Sequence, residues 1–327
     1  MVEAKKHQKI VVLGTGGTIA GTAHKVSEPG RYSAAQLGVE QLMAALPDLP
    51  AVLQGHALEA EQLAQLDSKD MDHATWQRLA LRCAQLLADE SVTALVITHG
   101  TDTLEETAWF LQRVLQPAKP VVITCAMRPA NVPGADGPQN LMDALRVARD
   151  AQCPGVMAVC AGRVHAARHV QKVHPSRLDA FDSGESAVLA RIEGGRVHWT
   201  DAHKRESGEA AFSAALHRPV SAWPRVALLI SHAGADRAVL DAMVGAGVEG
   251  VVVAGTGNGT LHQALQSALA DARGQGVQVM LTTRCPQGRV EGHQGPERVT
   301  DLSPVKARIE LMLLMLQVAD TATAPPG

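Results

Sequence analysis

Thr18 lies inside the run Gly14–Thr15–Gly16–Gly17–Thr18–Ile19–Ala20–Gly21, directly after an apolar stretch that reads as a strand. Glycines at such a turn let backbone N–H groups approach a negatively charged ligand or a developing oxyanion. A second hydroxyl, Thr101, stands beside Asp102 in His99–Gly100–Thr101–Asp102–Thr103, between another apolar run and a helical pattern. Free N–H groups and the positive end of a helix dipole favour a carboxylate there. A hydroxyl in one turn facing a hydroxyl and a carboxylate in another suits acyl transfer, because a hydroxyl is a poor nucleophile until a neighbouring base activates it. Lys172, one of few lysines in an arginine-rich chain, sits among His165, His169 and His174. A lysine desolvated between apolar neighbours can act as a base. Each residue also has a plain structural reading: Thr18 caps a tight turn, Asp102 caps a helix, Lys172 is a solvated surface charge. A further glycine turn, Gly255–Thr256–Gly257–Asn258–Gly259, reads equally well as a crowded strand-to-helix connection.

Several other chemistries are excluded or disfavoured. A dinucleotide fingerprint needs glycine where Ile19 and Thr260 stand, which weakens a dehydrogenase reading; a phosphate-binding P-loop needs a Gly–Lys dipeptide, which the chain lacks. No G-x-S-x-G elbow is present. His165 and His169 could share a helical face, but no glutamate follows His165 and there is no CxxC pair, so neither a metal nor a cofactor is expected.

The elements that must position these residues follow from length and pattern. At 327 residues the chain is long enough for two domains. Its 46% hydrophobic and 19% charged residues are ordinary globular composition, and a net charge of −3 does not suggest a nucleic-acid or polybasic membrane partner. Aromatic residues are only 2% of the chain, with a single tyrosine, Tyr32. Short β-branched runs at Ile10–Leu13, Ala94–Thr98, Val121–Thr124, Val156–Val159, Val226–Ile230, Val251–Val253 and Val277–Leu281 predict strands buried on both faces. Helical patterns lie between them, which is the signature of parallel sheets crossed by helices. A capping box from Ser33 to Gln36 predicts a helix over Leu37–Leu46; Asp72 predicts one over His73–Ala88, and Asp136 one over Pro138–Ala148. Another is expected over Thr103–Leu115, and a last one over Pro304–Val318 before a frayed tail, Ala324–Gly327. Gly194–Gly195 predicts a hairpin within Arg191–Trp199. The expected fold is α/β in two domains: a larger N-terminal, mainly parallel sheet flanked by helices over residues 1–200, a linker over 201–224, and a smaller parallel α/β domain over 225–327. The five cysteines (Cys83, Cys125, Cys153, Cys160, Cys285) are odd in number and mostly lie in apolar runs, so they read as reduced and buried. The polar start, Met1–Lys9, leaves no room for a secretory h-region, and no run is long enough to span a membrane. A soluble cytoplasmic protein is expected.

Taken together, Thr15–Gly21, His99–Thr103 with Glu105–Glu106–Thr107, Ala126–Pro129, Ala135–Pro138, Gly255–Gly259 and Pro304–Arg308 resemble the bacterial-type L-asparaginases, including the glutaminase-asparaginases. The resemblance covers nearly the whole chain in order. It implies that Thr18 is a nucleophile attacking the side-chain amide of L-asparagine, forming a β-aspartyl enzyme and releasing ammonia. It implies that Tyr32, on a mobile lid over Thr22–Ser33, bonds that nucleophile, and that Thr101, Asp102 and Lys172 activate water. Asp102 would also bind the substrate ammonium, Ser68 its α-carboxylate, and Gly17, Thr101 and Ala126 would supply backbone contacts at the amide pocket. Lys69 stands where relatives usually carry glutamine and is expected beside Ser68 among the substrate-binding residues, its ammonium strengthening carboxylate binding or pointing to solvent. Asn258 matches a residue lent by a neighbouring subunit, which implies active-site-sharing dimers and a homotetramer. The region Arg284–Asp301 is shorter than in periplasmic members, and neither Glu291 nor Glu297 is singled out as the partner's acidic residue. Two alternatives stay open: a preference for L-glutamine or another small amide, and a non-catalytic amino-acid-binding protein on the same scaffold.

Overall fold

The computed structural model describes residues 8–25, 32–150, 152, 154–186, 188–201 and 212–323. The segment Met1–His7, the middle of the Thr22–Ser33 lid, Cys153, much of the 201–224 linker and the tail after Thr323 lie outside the described residues. The chain divides into two compact units, Met1–Ala211 and Phe212–Gly327.

In unit 1 the strands are β1 (Lys9–Gly16), β2 (Thr22–Ala23), β3 (Tyr32–Ser33), β4 (Ala57–Leu66), β5 (Val92–Thr98), β6 (Pro120–Thr124), β7 (Gly155–Cys160), β8 (Arg163–Ala166), β9 (Gln171–Lys172), β10 (Phe181–Asp182), β11 (Ala190–Glu193) and β12 (Arg196–Trp199). Its helices are α1 (Val39–Ala44), α2 (Leu49–Leu53), α3 (His73–Ala88), α4 (Leu104–Leu115) and α5 (Gly137–Arg149). Eight strands form one sheet in the order β12-β11-β8-β7-β6-β5-β1-β4. The five from β7 to β4 are parallel, and the other three continue it antiparallel. Ile10, Val12, Ala94, Val96 and Val122 face α5, where Leu141, Ala144 and Leu145 complete the core. Their near-continuous apolar sequence follows from burial on both faces, as parallel sheets with helix crossovers require.

Three local expectations change on folding, and one strand is added that the sequence pattern did not assign. The helix expected over Leu37–Leu46 shrinks to α1, capped at Gly38, whose N–H donates to Gln41 Oε1 at 2.8 Å. Ser33 is in β3, and the N–H groups of Gln36 and Leu37 donate to the Ala20 carbonyl, which ties that stretch to the loop after β1, and the helix starts only after Gly38. Asp136 precedes α5 but makes no side-chain cap; its carboxylate is turned to another loop. The run Ala57–Leu66, which carries no β-branched residue, is a full strand, β4. Pairing with β1 from Lys9↔Ala57 onward overrides the helical propensity of its Ala, Leu, Glu and Gln. Cys285 is exposed in the loop after the last long strand, whereas Cys83, Cys125 and Cys160 are buried; all four are free thiols. Asp72 does cap α3, accepting from Thr75 N at 2.7 Å, and the hairpin forms at Gly194–Gly195 with φ of 55° and 74°.

Unit 2 holds β13 (Val226–Ile230), α6 (Ala238–Gly245), β14 (Gly250–Gly255), α7 (Gln263–Gly274), β15 (Gln278–Thr283), β16 (Arg298–Val299) and α8 (Pro304–Thr323). The sheet order is β13-β14-β15-β16, all parallel. Leu240, Val251, Val253, Leu265, Leu269 and Leu281 form its core. β14 is buried throughout, but β13, at the sheet edge, is only partly covered, against the expectation of burial on both faces. Among the described residues no helix is long and apolar enough to cross a membrane.

Candidate active site

The parallel strands β4, β1, β5 and β6 end along one edge of the unit 1 sheet, the place where open α/β sheets bind ligands. β1 delivers Gly17 and Thr18, β4 delivers Ser68, β5 delivers His99 to Asp102, and β6 delivers Ala126. Gly17 has φ 80° and ψ −172°, a conformation that is essentially restricted to glycine. It packs directly on the Gly100 backbone, which brings the loop of Thr18 against the loop of Thr101. Gly100 in turn has no room for a side chain, because a Cβ there would stand 2.7 Å from Ser68 Cβ. Gly137 sits with Ile19 and Ala126 in the same way, drawing the third loop toward the residue after Thr18.

On this frame the side chains form two groups. Thr18 is 6% exposed and its hydroxyl is 2.8 Å from the Tyr32 hydroxyl, so the lone tyrosine meets the threonine of the first turn. Lys172 reaches in from β9, its N–H donating to Glu105 Oε1 at 3.2 Å. Its ammonium donates to Thr101 Oγ1 at 2.8 Å and to Asp102 Oδ1 at 2.6 Å. An ammonium has no lone pair, so Thr101 Oγ1 is the acceptor and its own proton is left for a third group such as water. The Asp102 side chain is half exposed, 51%, while that of Lys172 is 17% exposed. The carboxylate is therefore held on one side by the lysine and open on the other to a cation. Asp102 is not a helix cap: α4 begins after Thr103, and the Asp102 N–H donates to Ser68 Oγ at 3.1 Å. Ser68 is locked further by Thr103 Oγ1, which donates to its carbonyl at 2.8 Å.

Not every expected site residue joins these groups by its side chain. Lys69, 60% exposed, is directed to Asp70 at 2.6 Å and Asp67 at 3.3 Å. The hydrogen bonds its ammonium donates, to Asp70 first and then to Asp67, raise its pKa. Asn258 belongs to unit 2, where its amide donates to the Glu291 carbonyl and accepts from the Glu291 N–H, both at 2.8 Å. Glu297 is committed to Arg273 and His293.

Sequence reasoning left His99 without a role, although it stands in the motif. It is fully buried, its Nδ1 is 2.7 Å from the Gly100 carbonyl and its Nε2 2.9 Å from Thr107 Oγ1, which also accepts from Trp76 Nε1 at 2.9 Å. Burial pushes its pKa down to about 4, so the ring is neutral near pH 7. A carbonyl only accepts, so the proton is on Nδ1, and protons run Trp76 to Thr107 to His99 to the Gly100 carbonyl. That chain fixes the peptide whose N–H belongs to Thr101. The signal for it was the spacing of His99 and Thr107 around the start of α4.

Two family sequence models match the chain: the N-terminal asparaginase domain over residues 9–205, and the glutaminase/asparaginase C-terminal domain over residues 225–324. L-asparaginase 2 of Bacillus subtilis is 34% identical over 325 residues, covering 97% of this chain and 85% of that protein. Glutaminase-asparaginase of Pseudomonas fluorescens is 32% identical over 331 residues, covering 98% and 90%. Among solved structures, a probable cytoplasmic L-asparaginase from Campylobacter jejuni superposes with a TM-score of 0.85 at 33% identity, covering 95% of each chain.

Proposed function

Because this chain belongs to the asparaginase family, we propose that it is an amidohydrolase converting L-asparagine and water to L-aspartate and ammonia. The observation that carries the reading is the Lys172 ammonium shared between Thr101 and Asp102, beside a Thr18 already bonded to Tyr32. Thr18 Oγ1 attacks the side-chain amide carbon and gives up its proton, which ends on the amide nitrogen; the C–N bond breaks, ammonia leaves, and a β-aspartyl ester remains. Water polarised at Thr101 then attacks the ester, restoring the Thr18 hydroxyl and releasing L-aspartate. The backbone N–H of Thr101 stabilises the oxyanion of each step, whereas that of Gly17, expected to contact the amide pocket, is taken by the Leu66 carbonyl at 2.9 Å. Ser68 binds the α-carboxylate and the open side of Asp102 the α-ammonium. None of these steps calls for a cofactor.

L-Glutamine is the second substrate to consider, since one methylene changes selectivity by only about 10- to 200-fold and a relative carries both activities in its name. Asn258 is assigned to a neighbouring subunit's site, so the active species is a dimer or a homotetramer of such dimers. A cytoplasmic location accords with the free thiols and with the naming of the Campylobacter jejuni protein. Ammonia release from L-asparagine and L-glutamine by the parent and Thr18→Ala tests the whole reading. Release from L-asparagine that is lost in the variant supports it; a folded parent that binds L-asparagine and releases no ammonia would leave an amino-acid-binding protein.

A further inference from the structure

The loop after β6 is held from both sides by two side chains that the mechanism above does not use. Asp136 accepts from Met127 N through Oδ2 and from Arg128 N through Oδ1, both at 2.9 Å. Asn140, one turn later on α5, donates through Nδ2 to the Cys125 carbonyl at 2.9 Å and to Asp136 Oδ2 at 3.2 Å. Its Oδ1 accepts from Ala161 N at 3.0 Å, which ties the clamp to the end of β7. Asn140 is 3% exposed, and every polar atom of its amide is in use. The one residue these bonds straddle is Ala126. It is fully buried, and among the described residues no hydrogen bond ends on its own N–H or C=O.

A buried peptide group without a partner is costly, and it persists only where its surroundings fix it. Here the residues on both sides are fixed by ionic or amide side chains rather than by the sheet ladder, and Gly137 leaves room for Ala126 beside Ile19. We propose that Asp136 and Asn140 are positioning residues for amide recognition: they aim the Ala126 carbonyl at the nitrogen of the substrate's side-chain amide. The proposal rests on the amidohydrolase reading. A backbone carbonyl accepts a hydrogen bond from an amide N–H and from no atom of an ester. The clamp therefore selects amide over ester, while the nucleophile and the water-activating group are untouched by it.

The test compares kcat/KM for L-asparagine with that for L-aspartate β-methyl ester, which presents the same carboxylate, ammonium and acyl carbon but no N–H donor. The ratio of the two constants is independent of the fraction of enzyme that folds. Asp136→Asn removes one of the two acceptors and turns an N–H toward a backbone N–H; Asn140→Ser removes the donor to Cys125. In each variant the amide-to-ester ratio is expected to fall about tenfold, the worth of one well-made hydrogen bond. Most of the fall should be in the amide reaction, with ester turnover within about twofold of the parent. A ratio unchanged within twofold in either soluble variant would overturn the proposal and reduce the pair to a fold-stabilising contact. Asparagine hydrolysis by the parent is measured in the same experiment, so failure of the amidohydrolase reading is separately visible.

Discussion

Gly17 is the residue whose replacement should separate the two reactive loops without touching a reactive group. Its φ of 80° and ψ of −172° cost any other residue about 1–3 kcal/mol. The steric cost is the more specific one. A Cβ at this position would fall on the Gly100 backbone and stand 2.8 Å from the His99 carbonyl carbon. Carbon atoms pack at about 3.5–4.0 Å, so the two loops must part by roughly 1 Å. Both contacts are backbone, so no side-chain rotation relieves them. Thr18 is carried by one loop, and Thr101 and Asp102 by the other. A 1 Å misplacement of reacting groups can cost about 100-fold in rate. Gly17→Ala should therefore lower kcat for L-asparagine by about two orders of magnitude, and the strain should lower Tm by several degrees, at about 2–4 °C per kcal/mol for a domain of this size. Gly55→Ala is the control: its φ is 92°, yet nothing lies within 4 Å of the added Cβ. It should lose stability and keep kcat. Ammonia release and thermal unfolding on the parent and both variants decide the matter; Gly17→Ala with kcat within threefold of the parent would refute the close-approach argument.

Lys172→Met removes the ammonium that both Thr101 and Asp102 rely on; kcat should drop by about 10²–10⁴, the range for general acid–base groups, while Tm barely moves because Asp102 is half exposed. A variant with parental turnover in the ammonia assay would remove Lys172 from the mechanism. His99 is neutral in the fold with its pKa pushed down to about 4, against about 6.5 when unfolded. The unfolded chain therefore takes up the proton first as pH falls: the stability this histidine lends is intact above about pH 7 and is lost on acidification through 6.5 toward 4, about 2 kcal/mol of it by pH 5. Denaturant melts at pH 7.5 and 5 should show a drop that is smaller by that amount in His99→Gln, and equal drops in both proteins would contradict the buried neutral ring. Lys69→Gln should leave KM for L-asparagine within about twofold, because the ammonium is turned to Asp67 and Asp70 and exposed charge pairs contribute little; a tenfold change would mean that Lys69 reaches the substrate.

What the sequence disclosed and what it withheld divide by the distance over which each interaction acts. Asp72 capping Thr75 is three residues long and was legible, as was the hairpin at Gly194–Gly195. β4 was not, because Ala57–Leu66 has the composition of a helix and becomes a strand only through pairing with β1, forty-odd residues away by sequence. The chemistry shows the same division. Thr18, Thr101 and Asp102 announce themselves by sitting in turns rich in glycine or at the start of a helix, whereas nothing local to Lys172 distinguishes it from a surface charge. Its meeting with Asp102 spans 70 residues and depends on β9 being pinned to Glu105.

Asp136 is the instructive failure, because its sequence signal was real and its interpretation was wrong. Asp followed by Gly–Pro at the start of an apolar helical run is what an N-cap looks like, and α5 does begin there. The same carboxylate can serve the first N–H groups of its own helix or a pair of N–H groups elsewhere, and it has only two oxygens. Met127 and Arg128 offer two consecutive donors at 2.9 Å, one for each oxygen, in a loop that the sheet ladder does not reach. A helix start can find water for its orphan donors, whereas the Met127 N–H lies next to fully buried Ala126 and has less access to water. The carboxylate goes where its absence would cost most. At Asp136 the capping signal marks a positioned backbone rather than a cap, and that backbone flanks Ala126, the peptide proposed to receive the substrate's amide.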